Sequence, residues 1–310
     1  MNRTLSKILI VSDLHGSNAC FKKCVAMVKE TSPNVLVVAG DFLGKSIAKF
    51  RRNDDGSTEY FPRKGARQIL TEDVFVKLKN SWSDSGVYPV EVTELGDEST
   101  DEELQTSAGI RRLTQWLDYG HQAFPDLQVV AIPGNDDPDA LVEVLQTHPW
   151  VKNVDGRIVC IHGYEFLGLG YSNETPWETP RELTEEEIAE KLKELSGKVT
   201  NPRRTIAVVH IPPRDSNLDL APNLERLPDG TLQITGTGYS ACGSSAVRQF
   251  IETFSPLLLI CGHCHSSGGV ARIDHTLCVN PGSTFQRGLL LARVVVLDGE
   301  TIVGEQRLAR

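Results

Sequence analysis

Five short apolar runs, Ile8–Val11, Val35–Ala39, Val129–Ile132, Ile206–Val209 and Leu257–Cys261, constrain this chain more than any other feature of it. They are rich in β-branched residues and show no polar alternation, which is the pattern of strands covered on both faces. Each run then stops on residues of another kind: Ser12-Asp13-Leu14-His15, Gly40-Asp41, Pro133-Gly134-Asn135-Asp136-Asp137, His210, and Gly262-His263-Cys264-His265. In open α/β sheets, sites form just beyond the carboxyl ends of strands. The chemistry of this chain is therefore expected where its strands end.

The last of these stretches is the most telling. Alternate residues of an extended segment point the same way, so if strand geometry persists past Gly262, His263 and His265 aim at one spot. Asp13 and His15 repeat that spacing. Neutral imidazole is a common metal ligand, and the histidine pair reads as a metal site. Taken singly, these residues have plainer readings. A lone histidine is a satisfied core residue, and Asp13 or Asp41 after a strand is a turn or N-cap residue.

Between the runs lie helical patterns. Ser17 to Glu30 carries Phe21, Cys24, Val25 and Val28 at helical spacing and is closed by Pro33. Asp137 or Asp139 is expected to cap a helix through Leu141, Val144 and Leu145. Thr184 and Glu187 form a capping box for a helix ended by Gly197, with Glu185 to Glu187 a solvated start. Gly243-Ser244 opens another helix, whose free N–H groups suit an anion. Arg157 to His162 and Tyr164 to Leu169 read as a hairpin with His162 structural, and Asp298-Gly299 marks a second hairpin. Arg214 reads either as a phosphate contact or as a surface residue.

From Gly44 to about Pro125 the pattern is interrupted. So long a connection between two strands must be an insertion with structure of its own, giving one domain over residues 1–310 that carries an insertion at about 45–125. Thr71–Lys79 and Asp101 to about His121 are expected to be helical, and Ser83 to Thr100 to be an irregular loop. Arg51, Arg52, Arg63, Lys64 and Arg67 read either as a solvated surface, the favoured reading, or as the lining of an anionic substrate's approach.

Composition narrows the partners. A net charge of −9 argues against broad binding to a nucleic-acid backbone. The seven cysteines contain no paired C-x-x-C knots and read as reduced thiols of a cytoplasmic protein. No apolar stretch approaches the roughly 18 residues of a membrane span, so neither membrane insertion nor secretion is expected.

In order, Asp-x-His, Gly-Asp, Gly-Asn-x-Asp, an isolated His and Gly-His-x-His, each ending an apolar strand, resemble the calcineurin-like metallophosphoesterase superfamily. The resemblance runs from Lys7 to about Ser283 with the insertion outside it. The Gly-Ser helix start, Gly-His-Cys-His and the turn Asn280-Pro281-Gly282-Ser283 are most similar to the small uncharacterised prokaryotic and archaeal phosphoesterases of that group. It implies an α/β fold, a four-layer αββα sandwich of two mixed sheets flanked by helices. It implies one metal held by Asp13, His15 and His265, another by Asn135, His210 and His263, and Asp41 bridging them. Two divalent ions are implied (Mn, Fe, Zn, Co or Ni, with Mn favoured), and a hydroxide bridging them would attack phosphorus. The implied substrate is a small-molecule phosphoester, a phosphodiester or nucleotide-like compound. Asp41, Asn135 and Asp136 carry the expected catalytic role.

Asp136 is a departure, because many members of the superfamily have a histidine there that protonates the leaving group or orients substrate. Either burial raises the Asp136 pKa so that it serves as the acid, or it is a loop residue. Phe42-Leu43-Gly44 after Asp41, in place of Val-Asp-Arg-Gly, speaks against protein dephosphorylation. The alternatives are a non-catalytic scaffold that binds metal or a phosphorylated ligand, and a nuclease, which would need a basic track.

Overall fold

The apolar runs form the middles of two six-stranded mixed sheets in the computed structural model, which describes residues 5–92 and 99–310. The first sheet runs Thr301–Ala309, Leu291–Asp298, Ser6–Val11, Val35–Ala39, Gln128–Ile132, Val151–Asn153 from edge to edge. Its last four strands are parallel, and the C-terminal hairpin adds Leu291–Asp298 antiparallel to Ser6–Val11. The second runs Gly269–Ile273, Thr276–Asn280, Leu258–Ile260, Thr205–Val209, Tyr164–Leu169, Ile158–Ile161, with parallel pairing in the middle and an antiparallel strand at each edge.

Among the described residues six α-helices accompany them: α1 (Asn18–Thr31), α2 (Glu72–Asp84), α3 (Asp101–Ala123), α4 (Asp139–Thr147), α5 (Glu185–Ser196) and α6 (Ser245–Phe254). Helices α1, α3 and α4 bury Cys24, Leu113 and Leu141 against Leu9, Val38 and Val129 on the outer face of the first sheet. On the second sheet, α5 and α6 pack Ile188, Leu192, Val247 and Ile251 over Leu167, Ala207 and Leu259. Between the sheets, Ile8, Ile10, Val37, Val130 and Ile132 meet Phe166, Ile206, Val208, Leu258 and Val279. The result is a four-layer αββα sandwich. Strands buried on both faces explain why the runs lack alternation.

Register positions the strand ends. Ile10 lies opposite Val37, and Val37 opposite Val130, while Val38 pairs with both Val11 and Ala131. A slip of one residue would exchange the inner and outer faces, so burial on both sides fixes the pairing. Asp13, Asp41 and Asn135 consequently leave the sheet side by side.

The segment after Gly44 forms a sheet of its own, ordered Gln68–Leu70, Thr58–Phe61, Ser46–Arg52, Val87–Glu91. Phe75 of α2 packs on its Phe50 and Leu70, and Ala108 of α3 on its Ile47, Tyr88 and Val90. The expected irregular loop over Ser83–Thr100 is corrected here. Helix α2 reaches Asp84, and Val87–Glu91 is an edge strand parallel to Ser46–Arg52, where Pro89 is tolerated at the edge. Residues 93–98 of that expectation lie outside the described residues. Three of the basic residues are paired locally: Arg51 and Arg67 both with Glu59, at 2.5 and 2.8 Å, and Arg52 with Glu72 at 3.5 Å.

Two further readings change. Helix α4 is capped by Pro138, with no side-chain hydrogen bond, so neither Asp137 nor Asp139 is its cap. The N-terminus of α6, which suited an anion, already holds one of the chain's own. The Glu185 carboxylate accepts from Ser244 Oγ at 2.7 Å and from the Ala246 N–H at 2.8 Å. Glu185 is thus a packing contact and not a solvated helix start. A hairpin, Leu220–Arg226 with Leu232–Ala241, stands outside both sheets. Among the described residues, no helix is long and apolar enough to cross a membrane.

Candidate metal centre

The strand geometry assumed for the ligand stretches does not persist. The strand ends at Ile260, His263 has φ of 63° and His265 begins a 3-10 turn. Asp13, His15 and Asp41 also take left-handed φ values of 54°, 41° and 53°. Such backbone costs of order 1–3 kcal/mol per residue and gathers at functional sites. The turns still bring all seven expected ligands together, but His263 and His265 serve opposite halves of the site.

One half comprises Asp13, His15, Asp41 and His265, whose ligand atoms lie within 4.8 Å of one another. His15 Nε2 is 3.1 Å from His265 Nε2 and 3.5 Å from Asp41 Oδ2, and His265 Nε2 is 3.3 Å from Asp13 Oδ1. In the other half, Asn135 Oδ1 is 3.0 Å from His210 Nε2 and 2.8 Å from His263 Nδ1. Asp41 faces both halves, with its Oδ1 3.6 Å from His210 Nε2.

Three of these groups are oriented by bonds outside the site. His15 Nδ1 donates to Leu43 O at 3.2 Å and His210 Nδ1 to Ala39 O at 2.7 Å, which turns both Nε2 atoms toward the site. Asn135 Nδ2 donates to Thr179 Oγ1 at 2.9 Å, so its oxygen faces the site. Imidazole nitrogens, carboxylate oxygens and an amide oxygen therefore converge, and a cation in place of the shared protons is what such a set accommodates.

The electrostatics agree. Burial pushes His15 down to about 3, and burial with His210 nearby pushes His263 down to about 4, leaving both neutral as ligands must be. Burial also opposes charge on His210, but the Asp41 carboxylate, helped by Asp13 and the Ala39 carbonyl, outweighs it and raises His210 to about 9. For Asp41, burial works against ionisation, yet His210 and His15 hold its carboxyl well below the usual range. The carboxylates draw protons toward the histidines. A divalent cation compensates them more fully.

Asp136 lies at the rim. Its N–H donates to Asp41 Oδ1 at 3.1 Å, its carboxylate pairs with the Lys45 ammonium, and burial followed by Asp41 raises it to about 6. Arg214 is exposed and joined to Ser244 through its backbone N–H.

Several contributors had no clear sequence signal. Asp137, fully buried, accepts N–H bonds from Phe42, Leu43 and Gly134 at 2.9–3.1 Å and so ties the Asp41 loop to the Asn135 loop. Thr179 holds Asn135 and is itself held by Glu182 at 2.6 Å. Arg181, buried, spans Asp139 and Asp155 at 3.2 and 2.6 Å, and its N–H reaches Asn135 O. Asp137 sits in the quoted Gly-Asn-x-Asp motif, so it was visible as a position although not as a role. Lys45, Thr179 and Arg181 belong to no motif.

The uncharacterized protein MJ1162 of Methanocaldococcus jannaschii is 31% identical over 174 residues, 56% of this chain and 68% of its own length. This chain belongs to the MJ1162 family. No family model matches it. Among solved structures, TT1561 of Thermus thermophilus has a TM-score of 0.51 at 16% identity, covering 98% of this chain and 99% of its own, which makes the fold a shared one. An archaeal phosphodiesterase covers 98% of this chain and 99% of its own at a TM-score of 0.39 and 10% identity, too distant to bear on the activity of the MJ1162 family.

Proposed function

We propose that this chain is a dinuclear metal-dependent phosphoesterase acting on a small phosphodiester or nucleotide-like compound. The observation that carries this is Asp41, a buried carboxylate with one oxygen toward each of two sets of acceptor ligands drawn from five strand ends. Asp13, His15 and His265 would hold one ion, Asn135, His210 and His263 the other, and Asp41 both. Bound divalent cations supply an acidified water and positive charge for the phosphoryl oxygens. The chain's own contribution is orientation: Leu43 O and Ala39 O fix two imidazoles, and Thr179 fixes the Asn135 amide. Nitrogen and oxygen ligands without thiolate suit Mn, Fe, Zn, Co or Ni. A reducing cytoplasmic setting fits seven unbridged cysteines, and the local pairing of the insertion's arginines gives no support to a nuclease track.

The test is hydrolysis of bis(p-nitrophenyl) phosphate by Mn²⁺-loaded protein. Turnover that stops on chelation and is abolished in Asp41→Asn supports the proposal. Metal-loaded protein that turns over no monoester or diester contradicts it, and so does an Asp41→Asn variant as active as the parent.

A further inference from the structure

Lys45 is the residue on which the Asp41 loop becomes the first strand of the insertion, and its position is fixed from both sides. The Gly44 N–H donates to Tyr88 Oη at 2.7 Å, and Ser46 enters the sheet opposite Val87. The ammonium is half exposed and pairs with Asp136, whose side chain is only 15% exposed. The Lys45 charge also acts on Asp41 and Asp13 across the site, and these carboxylates, led by Asp136, outweigh burial and keep Lys45 protonated. A carboxylate at the rim of a phosphate site would repel its substrate; one neutralised by a lysine does not, and it holds that lysine in place.

Building on the phosphoesterase reading, we propose that Lys45, oriented by Asp136, is the side chain that binds a non-bridging oxygen of the substrate's phosphoryl group. Asp136 is then a positioning residue and not the acid for the leaving group. A charge-assisted bond of this kind corresponds to an about 10- to 100-fold effect on binding. The effect is larger for a dianionic monoester than for a monoanionic diester.

The probe is inorganic phosphate, titrated calorimetrically into Mn²⁺-loaded protein, with kcat/KM on p-nitrophenyl phosphate and bis(p-nitrophenyl) phosphate alongside. Lys45→Met weakens phosphate about 10- to 100-fold and lowers monoester turnover more than diester turnover, while Lys45→Arg restores most of both. In the Lys45→Met background, Asp136→Asn costs nothing further, because it removes the repulsion left behind. Unchanged phosphate affinity, or equal losses on both esters, overturns the inference while leaving a turning-over parent as a phosphoesterase. A parent that binds phosphate through Lys45 yet turns over no ester sinks the enzyme reading alone.

A different observation carries a second inference. Cys242, at the foot of the hairpin ending at Ala241, has its Sγ 3.1 Å from that of Cys264, which lies between His263 and His265. A disulfide needs about 2.05 Å, a closure of about 1 Å. The geometry points to a peroxide-sensitive latch. A peroxide oxidises the partly exposed Cys242 to a sulfenic acid, the Cys264 thiol displaces water from it, and two thiols with one hydrogen peroxide become one disulfide and two waters. The bond pulls on the loop that carries two ligands. Peptide mass spectrometry after peroxide treatment is expected to find Cys242 joined to Cys264, with metal content reduced, and Cys242→Ser to retain its metal. Peroxide treatment that yields no such link, or linked protein with full metal content, overturns it.

Discussion

At the scale of single residues, the site depends on where protons are kept away. His210 is held near pH 9 by Asp41, whereas a metal accepts only neutral imidazole, so binding must release a proton below that pH. Metal affinity is therefore expected to rise at least about tenfold per pH unit toward 9, with His265, raised against burial by Asp13, adding to the slope at lower pH, and to flatten above it. Competition titrations with a chelator between pH 6 and 10 measure this, and an affinity that falls with rising pH contradicts it. Asp137 makes a different kind of contribution. Asp137→Ala leaves the N–H groups of Phe42, Leu43 and Gly134 buried without an acceptor, which costs at least about 3 kcal/mol in denaturant unfolding. A loss below about 1 kcal/mol would mean that the loops hold themselves.

At the scale of elements, the sheet strands that carry the candidate ligands were legible because burial on both faces leaves long apolar runs, and the convergence of those residues because they sit where the runs stop. How the chain turns there was not legible. Extended geometry would have aimed His263 and His265 at one point, but with the left-handed turn at His263 its Nδ1 lies against Asn135 while His265 lies against Asp13. The insertion's sheet was hidden for another reason: its strands, such as Thr58–Phe61 and Gln68–Leu70, are short and half exposed, and composition there resembles a loop. The segment following Gly170 gave no signal because its role is support, Thr179 orienting Asn135 from outside the site. Thr179→Val keeps the shape and removes that hydrogen bond. It is expected to lower metal affinity about 10- to 100-fold with little change in folding, read by chelator competition and thermal melts. Unaltered affinity would place the Asn135 orientation elsewhere, with the Arg181 N–H bond to Asn135 O the next candidate.

At the scale of the whole molecule, residues from Asp13 to His265 meet where two sheets put their strand ends together, so a metal bound there is expected to be linked to folding. The insertion adds to this seam from outside: Arg112 of α3 lies 4.5 Å from the Tyr88 ring centroid and donates to Gly16 O at 2.7 Å, next to His15. Ions at 100 times their dissociation constant stabilise a native state by about 2.7 kcal/mol, so removing one is expected to lower the Tm by roughly 4 °C. A melt unchanged by chelation would separate the two processes. The most direct measurement is an anomalous difference map from crystals grown with Mn²⁺. The account predicts two peaks about 3.5–4 Å apart, one beside His15 and His265 and one beside His210 and His263, with Asp41 between them. A single peak, or peaks that Asp41 does not touch, would contradict it.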